Sequence, residues 1–148
     1  MTASTYVPQL TPLIAVHATA AILAMLTGPV AIWARFWTRK GQTLRPRLHR
    51  AFGYAWVTLM IVAAVSAIFI HDPALAGWAG FSLIHLLIPV TLGMLTLAFW
   101  FLLRGNVRGH RLTMVNLYVG ACLVAGVFTL TPNRYLGHLV LHQWLGLV

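Results

Sequence analysis

Long apolar runs broken by short polar links set the pattern of this chain. Four runs, at about 12–34, 50–70, 77–103 and 112–130, each come near the ~20 residues that cross a hydrocarbon core ~30 Å thick. Turn formers fill the links: Gly41 to Pro46, His71-Asp72-Pro73, Gly105 to Gly109 and Pro132-Asn133. An unpaired backbone group in lipid is costly, so each run is expected to be a helix. The expected fold is all-α, an integral membrane four-helix up-down bundle in a single transmembrane domain over residues 1–148. The tail at 135–148 is apolar but short for a span. It is expected to form a short C-terminal interfacial or re-entrant helix.

Composition agrees with the pattern. Of the 148 residues, 60% are hydrophobic and 7% charged, with a mean hydropathy of +0.85. A soluble domain carries far more charge, so these apolar residues are expected to contact membrane lipids. The net charge of +9 comes from two clusters in links, Arg35 to Arg50 and Arg104 to Arg111, with Arg134 alone. Basic residues in short links mark the cytoplasmic side, and they argue against nucleic acid as a partner. The expected location is the bacterial inner membrane, with both termini and the His71 to Ala76 loop outside the cytoplasm. The first ten residues lack the basic segment of a signal peptide, so the first span is expected to be retained.

Seven histidines are many for so apolar a chain, and ionisable groups in a bilayer usually face a bundle interior or a pathway. A short internal repeat aligns the stretch from His17 with that from His85. The second and fourth runs both open on His-Arg, as His49-Arg50 and His110-Arg111. Two helix pairs in tandem would then face His17 towards His85 near the outer side and His49 towards His110 near the inner side. The layers are separated by ~16 helical residues, roughly 24 Å. Small residues follow the histidines at helical spacing: Ala20, Ala24, Gly28 and Ala31 after His17, Pro89, Gly93 and Thr96 after His85, and Gly53 after His49. They serve close helix packing and equally leave room for a flat macrocycle.

Paired neutral imidazoles are good axial ligands for haem iron and suit it to electron transfer. The expected cofactor is haem b, one or two per chain. His17 and His85 would hold an outer haem, the first choice if only one binds, and His49 and His110 an inner one. Arg50 and Arg111 would pair with haem propionates or a quinone headgroup. The layout resembles the di-haem b-type membrane cytochromes, a group that includes ascorbate-dependent ferric reductases. In its motifs the chain resembles more closely an uncharacterised bacterial four-helix membrane-protein family. The carriers are Gly28-Pro29, His49-Arg50-Ala51-Phe52-Gly53-Tyr54-Ala55-Trp56 and His110-Arg111-Leu112-Thr113-Met114. This second resemblance implies the membrane topology and the importance of both His-Arg pairs, and implies no activity.

Two other readings stand beside electron transfer. The chain would serve as a non-catalytic accessory subunit of a larger respiratory or photosynthetic membrane complex. Alternatively, His138 and His142, at i, i+4, would bind zinc or copper on the outer face with His71 and Asp72. Asp72 is the only acidic side chain, which excludes paired-carboxylate catalysis. Expected partners are lipids, a quinone or a protein redox partner.

Overall fold

A computed structural model describes residues 11–36, 38–39, 42–43, 46–70 and 83–129. The first helix, α1, runs Pro12–Phe36. Thr11 caps it, since the Ile14 N–H donates to Thr11 Oγ1 at 3.3 Å, and Pro12 sits in the first turn, where its missing N–H costs nothing. A two-residue antiparallel pairing follows, β1 (Thr38–Arg39) with β2 (Gln42–Thr43). Next come α2 (Pro46–Ile68), a 3₁₀ turn (Leu83–Leu86) and α3 (Leu87–Leu103). The fourth helix is continuous. It comprises α4 (Val107–Leu117), a π-helical stretch (Tyr118–Val124) and α5 (Ala125–Thr129).

Among the described residues the fold is the expected all-α arrangement of four helices. Three are long and apolar enough to cross a membrane, and Leu87–Leu103 is a shorter apolar helix. Packing is closest between α1 and α2 and between α3 and α4, while α2 meets α3, and α1 meets the π-helical stretch. Sequence neighbours therefore pack side by side, which sets α2 diagonally opposite α4. The tail at 135–148 lies outside the described residues.

α2 and α4 begin earlier than the hydrophobic pattern indicates. Pro46 opens α2 as Pro12 opens α1. Between α3 and α4 the turn is tight because Gly105 adopts φ +71°, a left-handed conformation that glycine takes without strain. The Gly105 N–H bonds to the Leu102 carbonyl and the Asn106 N–H to the Phe101 carbonyl, closing the end of α3 as a Schellman motif. Asn106 then caps α4, its side chain accepting from the Gly109 N–H at 2.8 Å. His49 and His110 consequently lie a full turn inside their helices, with arginines on the first turns around them.

Pro29 stands inside α1 and has no N–H for the Met25 carbonyl. The Tyr118 hydroxyl donates to that carbonyl at 3.1 Å, so a side chain from the fourth helix completes the first. Tyr118→Phe should lower stability by about 0.6–1.7 kcal/mol, the span of hydrogen bonds between membrane helices. Thermal unfolding in detergent measures it.

The core holds Ala24, Trp56, Met60, Leu95, Leu117, Tyr118 and Cys122. The small face expected on α1 is buried at Ala20, Ala24, Gly28 and Ala31. The corresponding face of the third helix is not: Pro89, Gly93 and Thr96 are exposed, and Thr91, Leu95 and Ala98 are buried instead. His85 lies in the 3₁₀ turn, whose three residues per turn break its phase with the α-helix that follows.

Candidate functional site

Four histidines lie among the described residues, and each meets a backbone carbonyl of a different helix or segment. His49 Nδ1 is 2.9 Å from the Ala31 carbonyl of α1, and His110 Nδ1 is 2.9 Å from the Ala98 carbonyl of α3. The two halves of the chain thus repeat one bond, from the first turns of the later helix to the last turns of the earlier one. A carbonyl only accepts, so in a neutral ring Nδ1 carries the proton and Nε2 keeps the lone pair. That is the tautomer a metal-binding histidine needs, and a carbonyl on the far nitrogen fixes ring orientation and raises ligand basicity.

Both imidazoles line one cleft at the end of the bundle where α1 and α3 finish and α2 and α4 begin. It is open at its mouth, and about 970 Å³ of space lies within its bounds, the part open to the surroundings included. Phe99, Leu102, Ile32, Val57 and Met114 supply apolar walls. Gly53 leaves room beside His49, since a Cβ there would meet nothing within 4 Å. The closed wall is Gly28, Trp56 and Tyr118. Trp56 is 5% exposed and its Nε1 has no hydrogen-bond partner. The Cys122 thiol interacts with that indole without the geometry of a hydrogen bond.

Charge in the cleft has one sign. Arg35, Arg50 and Arg111 line it, and no acidic side chain does. Arg35, at the end of α1, is not marked by the sequence pattern. A repeat of Arg-x-His-Arg, at Arg47 to Arg50 and Arg108 to Arg111, marks both inner turns more fully than His-Arg alone.

His17 and His85 are arranged differently. His17 Nδ1 lies 2.9 Å from the Ala63 carbonyl and 3.1 Å from Ser66 Oγ. His85 uses Nε2, at 3.1 Å from the Ile70 carbonyl. Both tie their segments to the C-terminal end of α2, and neither lines the cleft. No group of three metal-ligating side chains occurs among the described residues. His71, Asp72, His138 and His142 lie outside them.

Fold and hydropathy together define a multi-helix membrane protein. The profile of the family described as "Predicted membrane protein (DUF2306)" matches residues 14–148, and the chain belongs to that family. No curated protein and no solved structure matches it.

Proposed function

We propose that this protein is a membrane electron-transfer protein that holds b-type haem between His49 and His110. The carrying observation is the pair of imidazoles from diagonal helices that line one cleft, each with Nδ1 on an alanine carbonyl. The residues present fit the group. The Nε2 lone pairs of His49 and His110 would hold the iron, apolar side chains and Gly53 would make room for a flat ring, and the basic lining of the cleft would balance its carboxylates.

When bound, haem supplies a one-electron iron couple. The Ala31 and Ala98 carbonyls orient both imidazoles, which would hold the iron between them. The apolar walls of the cleft would exclude water from the ring, and its arginines would balance the ring's carboxylates. The inner pair takes precedence over the outer pair in this reading, because His85 spends its Nε2 on Ile70. One haem per chain is the count that follows. In the same reading the basic first turns of α2 and α4 face the cytoplasm of the bacterial inner membrane, and both termini lie outside.

The test is a dithionite-reduced minus oxidised spectrum of the purified protein, with haem quantified per chain. Sharp b-type bands at one haem per chain are expected. A featureless spectrum from a folded preparation would sink the reading and favour an accessory subunit.

A further inference from the structure

One lip of the cleft is polar where a membrane helix is ordinarily apolar. Arg50 and Tyr54 are spaced i, i+4 on α2, hence on one face, and both line the cleft. Tyr54 is 64% exposed and Arg50 is exposed, so they form its outer edge rather than its deep wall. Tyr54 lies eight residues into α2, about 12 Å along the axis, where an exposed side chain faces the acyl boundary. The matching position of the second half, one turn after Arg111, is Val115, so this polar edge belongs to one half only. Arg35 and Arg111 have further partners within the protein, which leaves Arg50 and the Tyr54 hydroxyl as the donors at this lip.

We infer that this lip binds the head group of a lipid-soluble quinone. Two hydrogen-bond donors at the exposed edge of the cleft suit a ring with carbonyl oxygens that arrives from the membrane. The guanidinium of Arg50 and the hydroxyl of Tyr54 each donate to a carbonyl oxygen. The choice of a quinone over another carbonyl-bearing lipid rests on the electron-transfer reading above.

The experiment titrates the purified protein, as isolated in detergent, with decyl-benzoquinone and follows quenching of tryptophan fluorescence. Saturable binding is expected, weakened about tenfold or more by Tyr54→Phe and by Arg50→Gln. An excess of decylbenzene, which has the tail without the carbonyls, should leave the quenching unchanged. Wild-type affinity in both variants, displacement by decylbenzene, or no saturable binding overturns the inference. Absorption spectra of the same samples report haem independently. Intact b-type bands without quinone binding therefore overturn this inference alone, and missing bands overturn the haem assignment.

Discussion

Replacing either His49 or His110 with alanine is expected to abolish the b-type bands of the purified protein. Removing only the group that orients a metal-bound histidine costs 10–100-fold in affinity, so removing the ligand itself should cost more than about 100-fold. His17→Ala is the informative contrast. His17 bonds to Ala63 and Ser66 of α2, so its loss should leave the spectrum intact and lower thermal stability by about 0.6–1.7 kcal/mol. The opposite outcome, bands lost in His17→Ala and kept in His49→Ala, would return the haem to the outer pair. Haem content per chain, measured on all three variants after the same purification, separates the cases.

The second large effect is expected at Gly28. A Cβ there would stand 2.5 and 2.6 Å from two ring carbons of Tyr118, and 3.1 Å from Trp56 Nε1. Neither neighbour yields easily. The Tyr118 ring is held at its far end by the bond to the Met25 carbonyl, and Trp56 is buried in the core. Gly28→Ala should therefore destabilise by about 1–3 kcal/mol, the usual cost of overpacking. It should also disturb the cleft, whose closed wall these three residues form. The penalty should shrink in a Tyr118→Leu background, because the clash and its relief involve the same contact. Equal penalties in both backgrounds would show that the close approach of α1 and the fourth helix does not set the effect. Gly126 is a useful control, since an added Cβ there meets only the flexible end of Met25 at 2.7 Å.

The site is partly legible in the sequence. His49 and His110 stand out because a histidine followed by arginine opens two apolar runs, and such residues in a membrane segment need a reason. Hydropathy puts them at the edge of the bilayer, for it registers the first apolar residue and not the first helical one. Pro46 and Asn106 start the helices earlier, and that difference places both histidines about a turn inside their helices. His17 and His85 are placed by contacts that the alignment does not show, His17 on Ala63 and Ser66 and His85 on the Ile70 carbonyl. Aligning His17 with His85 assumes one helical phase, and the 3₁₀ turn at Leu83–Leu86 breaks it. Arg35 and Tyr54 carry no comparable mark, because an arginine ending a helix and a tyrosine near an interface are ordinary in membrane proteins.

What the sequence determined by itself was the solvent and the class of fold. Four long apolar runs in a chain with one acidic side chain leave few alternatives to a helical bundle in lipid, because the backbone must satisfy its own hydrogen bonds there. What only the tertiary structure decided was which carbonyl each imidazole meets. The Ala31 and Ala98 carbonyls are accepting groups already shared with their own helices, and nothing in an alanine's identity announces that a histidine will reach it. That choice depends on helix register and crossing, on Gly28 letting α1 approach Tyr118, and on capped turns that set where α2 and α4 begin. It fixes the ring nitrogen that is left to bind, and so the chemistry available to the cleft.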